Sequence, residues 1–125
     1  VANGKTPTPT LIEGHETKAS DKPQQISKPV LDNVRGMMRQ VVTNGTARSM
    51  AAGGTIYGKT GEAEINEGSH AWFTGYREED DIAFATLVVL GGGSDVSVNI
   101  TSNFLQKVDD YRSGPHEGAA PPAEG

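Results

Sequence analysis

The residues best suited to chemistry lie together in Gly58-Lys59-Thr60-Gly61, inside the longer run Gly53-Gly54-Thr55-Ile56-Tyr57-Gly58-Lys59-Thr60-Gly61-Glu62-Ala63-Glu64. One ammonium and one hydroxyl stand side by side there, with glycine before and after. A lysine Nζ beside a hydroxyl and open backbone N–H groups suits an anion such as a carboxylate or a phosphate. Glycine has no Cβ, so a ligand or a second backbone can approach the main chain closely. Two motifs fit these letters, and they predict different proteins.

The first is a phosphate-binding loop, since Gly53-x-x-x-x-Gly58-Lys59-Thr60 satisfies its pattern. That loop needs a buried strand before it and a helix directly after it, whose N-terminus faces the phosphates. Arg48-Ser49-Met50-Ala51-Ala52 is not a buried strand, and Gly61 to Gly68 is too short and glycine-bounded for the helix. Glu62, Glu64 and Glu67 would repel a nucleotide, and the apolar run ending at Leu90 leads into three glycines rather than a metal-binding Asp. The sequence argues against nucleotide binding.

The elements that must position these residues come from a chain of modest means. Its 125 residues are enough for one small domain. Only 34% are hydrophobic, and 16 Gly with 7 Pro predict much loop, so the core must come from Pro29 to Tyr111. A net charge of −5 without a Lys/Arg run excludes nucleic-acid binding driven by phosphate contacts. The absence of cysteine excludes disulfides and thiolate metal sites. His15, His70 and His116 lie far apart without ligand spacing, so neither a metal nor a cofactor is implied. Val1-Ala2-Asn3-Gly4-Lys5 carries no apolar signal core, and Ile82 to Leu90 is too short to span a bilayer, so the polypeptide reads as soluble.

Residues 1–28 read as an extended connecting segment with a short strand near Leu11. Pro29 to Asn44 reads as a helix, because Val30, Leu31, Val34, Met37, Met38, Val41 and Val42 form one stripe. Ser27 suits its cap, Pro29 its first turn, and Gly45 a left-handed stop. A loop to Gly54 leads into a strand over Thr55–Glu64 and a turn around Gly68. His70 to Tyr76 is an aromatic strand with Trp72 and Phe73 as core residues, and Arg77 to Asp81 a solvated hairpin tip. Ile82 to Leu90 is a strand apolar enough to be covered on both faces. A second helix, capped by Ser94 or Asp95, presents Ile100, Phe104, Leu105, Val108 and Tyr111, and residues 113–125 form a mobile tail. Residues 29–112 thus give an α+β arrangement: helix, three-stranded antiparallel meander, helix.

The second motif is Lys59-Thr60-Gly61, a signature of penicillin-binding proteins and β-lactamases. Its surroundings make it specific. Gly58-Lys59-Thr60-Gly61-Glu62-Ala63-Glu64 resembles the Gly-Lys-Thr-Gly-Thr-Ala-Glu/Gln strand of class B penicillin-binding proteins. His70-Ala71-Trp72-Phe73-Thr74-Gly75-Tyr76 is similar to the His-Ala-Trp-Phe strand that follows it in that family. Met37 to Val42 with Gly45-Thr46-Ala47 resembles the preceding helix and turn, and Val1-Ala2-Asn3-Gly4 the end of an earlier helix. The resemblance runs from about Val1 to Tyr111.

It implies the C-terminal part of a penicillin-binding, serine β-lactamase-like D,D-transpeptidase fold, acting on peptidoglycan stem peptides ending in D-Ala-D-Ala and acylated by β-lactams. By resemblance, Lys59 and Thr60 hold the substrate carboxylate, Gly61 lets the acyl group approach, and the Glu62 backbone N–H serves the oxyanion hole. The family's Ser-x-x-Lys is not in this chain, since no serine has a lysine three residues on. The nucleophile is therefore expected on the N-terminal remainder of the domain, a separate or missing polypeptide. Ser97-Val98-Asn99 matches Ser-x-Asn but follows Lys59-Thr60-Gly61 instead of preceding it, and reads as a helix start. Glu62 stands where the family has threonine, so its charge is expected to oppose an anionic substrate and slow acylation. The resemblance places the protein on the extracytoplasmic face of a bacterial membrane, anchored through a part outside this chain. Two alternatives share the fold: a non-catalytic β-lactam sensor or binding module, and a class D-like β-lactamase.

Overall fold

The computed structural model describes residues 1–10, 12–15 and 23–114. The expected strand near Leu11, His116 and the tail beyond Gly114 lie outside the described residues. Two helices and three strands follow one another as α1 (Lys28–Thr43), β1 (Ile56–Ile65), β2 (Gly68–Arg77), β3 (Ile82–Val88) and α2 (Asp95–Ser113). The strands form one antiparallel meander in the order β1-β2-β3. This is the α+β arrangement that the sequence predicts.

The register explains what each strand buries. Thr60 pairs with Phe73, Ile56 with Arg77, and Phe73 in turn with Thr86. Since side chains alternate along a strand, Ile56, Gly58, Thr60, Phe73, Phe84 and Thr86 share one face. Val42 of α1 and Val98 and Leu105 of α2 meet Ile56, Phe73 and Ala47 there in a single buried cluster. Both helices therefore cover the same side of the sheet.

That geometry corrects three expectations. Trp72 and Phe73 cannot both enter the core, because neighbours on a strand face opposite ways. Phe73 is fully buried, while Trp72 is 40% exposed on the uncovered face. β3 is covered on one face only: Ile82, Phe84, Thr86 and Val88 are half-buried, whereas Leu87, directly opposite Trp72, is 44% exposed. The hairpin tip is not wholly solvated. Arg77 lies on the core face and is only 4% exposed, held by Asp80 and by Asp109 of α2.

The helices depart from expectation in detail. Ser27 precedes α1 without a side-chain capping bond, and Pro29 sits in the first turn. Val30 and Met37 of the expected stripe are exposed, and Val42 is its buried member. Gly45 is not left-handed. It is glycine because a Cβ there would lie 2.9 Å from both Cα and O of Val41, where Ala47 N–H donates to Val41 O at 3.0 Å. In α2 the buried face is Ser97, Val98, Thr101, Ser102 and Leu105, while Ile100, Phe104 and Tyr111 are exposed. Small hydroxyl residues let α2 sit close to the sheet, and their polar atoms are satisfied. Ser97 donates to Ser94 O, Thr101 to Ser97 O, and Ser102 Oγ accepts from the Ala51 and Ala52 amides.

At the start of the chain, Lys5 pairs with Gln25 in an antiparallel bridge, and Ile26 N–H donates to Gly4 O. Arg35 of α1 donates to Ala2 O at 2.7 Å and to the Tyr76 hydroxyl at 3.1 Å, tying this segment to the sheet. No helix among the described residues is long and apolar enough to cross a membrane.

Candidate functional site

β1 is an edge strand, paired with β2 on one side only. Two bonds show which backbone groups face its outer edge. Arg39 of α1 donates to Ile56 O at 2.8 Å, and Lys59 Nζ to Thr60 O at 2.6 Å. The two-residue period of a strand puts the N–H and C=O of Glu62 on that same edge. Among the described residues, α1 occupies the outer edge at Ile56 and Lys59 Nζ takes Thr60 O, and no hydrogen bond reaches that edge beyond Thr60.

Lys59 and Gly61 lie on the uncovered face, and Lys59 is exposed. Thr60 points the other way and is buried, its hydroxyl sharing a hydrogen with that of Thr46 at 2.6 Å. Thr46 belongs to the Gly45-Thr46-Ala47 turn that ends α1, so turn and strand are locked hydroxyl to hydroxyl. The two glycines beside Lys59 do different things. A Cβ on Gly58 would lie 2.5 Å from the ring of Phe73, so Gly58 makes room for the core and not for a ligand. A Cβ on Gly61 would meet only Trp72 Cβ, at 3.4 Å, which leaves the strand surface low there.

Glu62 has its carboxylate turned away from Lys59. Its Oε1 accepts the Ser94 backbone N–H at 2.9 Å, at the start of α2. The charge is thereby set against the positive end of a helix rather than toward the uncovered face. Beside this bond lies a cavity of about 490 Å³ lined by Thr46, Arg48, Ser49, Glu62, Ser94 and Asp95. The sequence marks neither Thr46 nor Ser94 as a site residue, and Ser94 only as a candidate helix cap. Only the Gly45-Thr46-Ala47 letters pointed toward the first.

The base of β1 carries an aromatic stack. Tyr57 and Tyr76 stack with ring centres 4.8 Å apart, and Arg35 lies 6.0 Å from the Tyr76 ring centre. The Tyr76 hydroxyl raises the pKa of Arg35, and burial beside Glu78 raises that of Tyr57, so both keep their protons at neutral pH. Ser97, Val98 and Asn99 lie in the first turns of α2, with Ser97 and Val98 fully buried and away from Lys59. His70 Nδ1 accepts the Leu90 N–H at 3.0 Å, and among the described residues no three His, Asp or Glu groups converge as for a metal.

An edge strand carrying an exposed lysine, an open glycine and an outward N–H can hold a carboxylate and a second oxygen, while the Thr60 hydroxyl stays buried against Thr46 on the other face. The family model for the penicillin-binding protein transpeptidase domain matches residues 1–106, and the chain belongs to that family. It is similar to the D,D-transpeptidase domain of a peptidoglycan glycosyltransferase from Eggerthella lenta. That likeness has 28% identity and a TM-score of 0.61, covering 78% of this chain and 24% of that one. It is also similar to PBP2 of Pseudomonas aeruginosa, solved in complex with WCK 5153, at 28% identity and a TM-score of 0.58, covering 88% of this chain and 26% of that one. The chain spans about a quarter of the length of either structure. No curated protein matches it.

Proposed function

We propose that this chain is the C-terminal segment of a class B-type peptidoglycan D,D-transpeptidase, working through a serine acyl-enzyme. The observation that carries this reading is the edge strand itself: Lys59, Thr60, Gly61 and Glu62 in a family-matched segment, with the outer edge open beyond Thr60 among the described residues. The nucleophile belongs to the N-terminal remainder of the domain, outside this chain.

In this mechanism the serine oxygen attacks the carbonyl of the D-Ala-D-Ala peptide bond. Lys59 holds the terminal carboxylate by a charge-assisted bond, exchanging its present acceptor, Thr60 O, for the stronger anionic one. Thr60 would add its hydroxyl, which requires turning it from Thr46. Gly61 presents no side chain to the acyl group. The Glu62 N–H donates to the oxygen that becomes negative in the tetrahedral intermediate. The C–N bond then breaks, D-Ala leaves with a proton, and an amine of a second stem peptide takes the acyl group. β-Lactams follow the first half and stop at the acyl-enzyme. The substrate is outside the cytoplasm, so the reading places the site on the extracytoplasmic face of the bacterial membrane.

Intact mass spectrometry before and after benzylpenicillin tests this. The drug's mass on a polypeptide upstream of, or continuous with, this chain is the expected result. An adduct that hydrolyses within minutes would favour a β-lactamase. No adduct on any polypeptide carrying this segment would leave a binding module and overturn the transpeptidase reading.

A further inference from the structure

We propose that the Glu62 carboxylate is a positioning group that fixes its own backbone N–H for the oxyanion by clamping β1 to the start of α2. The proposal rests on the transpeptidase reading and concerns how this chain, with glutamate at that position, keeps its donor in place.

The core holds β1 down only as far as Thr60. Ile56, Gly58 and Thr60 are buried, but every residue from Glu62 to Ile65 is exposed. Beyond Thr60 the strand still pairs with β2, yet its core-facing side chains reach no apolar cluster. Among the described residues, the Glu62–Ser94 bond, across 32 residues, ties this end to the helical layer. Its anchor is firm. Gly92 N–H donates to Ser69 O, Ser69 Oγ donates back to Gly92 O, and Ser97 and Val98 are fully buried.

Ser94 also needs this partner. It precedes α2 in helical conformation, with φ −64°, and its side chain makes no capping bond. The residue is 8% exposed, and its N–H would be costly to leave unpaired. A carboxylate at a helix N-terminus meets both that donor and the positive end of the helix. Donors aimed at a transition state must be held to within about 0.5 Å, and a backbone N–H inherits the position of its own anchored side chain.

The test measures benzylpenicillin acylation of the full-length transpeptidase that carries this segment, separating the acylation rate constant from the drug's dissociation constant. If the Glu62 charge merely opposes an anionic substrate, Glu62→Thr accelerates acylation. The clamp predicts the opposite sign. Glu62→Thr, too short to reach Ser94, slows the acylation step about tenfold, less than the ~10²-fold cost of removing a donor, with the dissociation constant unchanged. Glu62→Gln, which keeps an acceptor oxygen, recovers most of that loss. Ser94→Pro deletes the donor at a φ that proline adopts, and repeats the Glu62→Thr defect without adding to it in the double variant. Exchange of the Ser94 amide speeds up in Glu62→Thr.

A Glu62→Thr rate equal to or above the parent's overturns the clamp, as does a loss confined to drug binding or a double variant whose losses multiply. If Glu62→Thr does not fold, Ser94→Pro decides by the same criteria, with Glu62→Gln expected to stay near the parent. A parent that is never acylated overturns the transpeptidase reading, and this role with it. An acylated parent with an indifferent Glu62→Thr overturns the clamp alone.

Discussion

The ring of Phe73 occupies the space that a side chain on Gly58 would need. A Cβ there would sit 2.5 and 2.6 Å from two ring carbons. β1 thus passes over the largest fully buried side chain at its thinnest point, one residue before Lys59. Gly58→Ala should push the strand off Phe73 and cost about 1–3 kcal/mol by overpacking. Denaturant unfolding reads this directly, and a loss below about 0.5 kcal/mol would show that the core does not fix the strand's height.

The hydroxyls of Thr46 and Thr60 make an unequal pair, because Thr60 is buried and Thr46 exposed. Thr46→Val strands the buried hydroxyl of Thr60 and should cost about 1–3 kcal/mol. Thr60→Val leaves an exposed hydroxyl that water can satisfy, and should cost less. The double variant should lose less than the two singles added. Equal single losses that simply add would mean that the two hydroxyls do not depend on one another.

Asp80 governs the acid limb of stability. Its hydrogen bonds to Arg77, with Arg112 adding charge, hold its pKa below the usual 3.8. A depressed carboxylate stabilises fully above its unfolded value and loses that contribution as pH falls through the folded one. Glu79, bonded to the Thr55 N–H, shifts in the same direction. Asp80→Asn should therefore flatten the stability profile on the acid side, as pH falls below the usual carboxylate value of 3.8. At neutral pH it should cost less than the ~3–5 kcal/mol of a fully broken buried pair, because Asp109 still faces Arg77. An acid limb as steep as the parent's would move the titration to another carboxylate.

Much of this architecture is legible in local pattern. Strand and helix periodicities, glycine breaks and aromatic runs give the order of all five elements. The candidate site residues are legible because Lys59 to Glu62 are contiguous. What pattern cannot give is which face a layer covers. Trp72 and Leu87 look like core until the register pairs them on the face opposite the buried cluster. Arg77 looks like a hairpin charge until Asp109, 32 residues on, is brought against it. In α2 the apolar stripe is right at Leu105 but wrong at Ile100, Phe104 and Tyr111, because close approach to the sheet selects Ser97, Thr101 and Ser102 instead. The turn of the Glu62 side chain toward Ser94 depends on tertiary placement alone.

Lys59 should separate binding from folding. Its side chain is exposed, and its described partner is the neighbouring Thr60 O, so Lys59→Ala should change stability by no more than about 0.5 kcal/mol. The carboxylate that it holds in the proposed reaction would lose a charge-assisted bond worth about 1.5–3 kcal/mol. That weakens benzylpenicillin binding by roughly 10- to 150-fold at 1.4 kcal/mol per decade. Lys59→Arg keeps the charge but not the compact ammonium, and should fall between the two. Titrating drug occupancy on the parent and both variants, with melting curves alongside, gives the answer. If binding is indifferent to Lys59→Ala while the fold is intact, the lysine is only a surface charge. If binding and melting temperature fall together, Lys59 belongs to the structure of β1 rather than to its ligand.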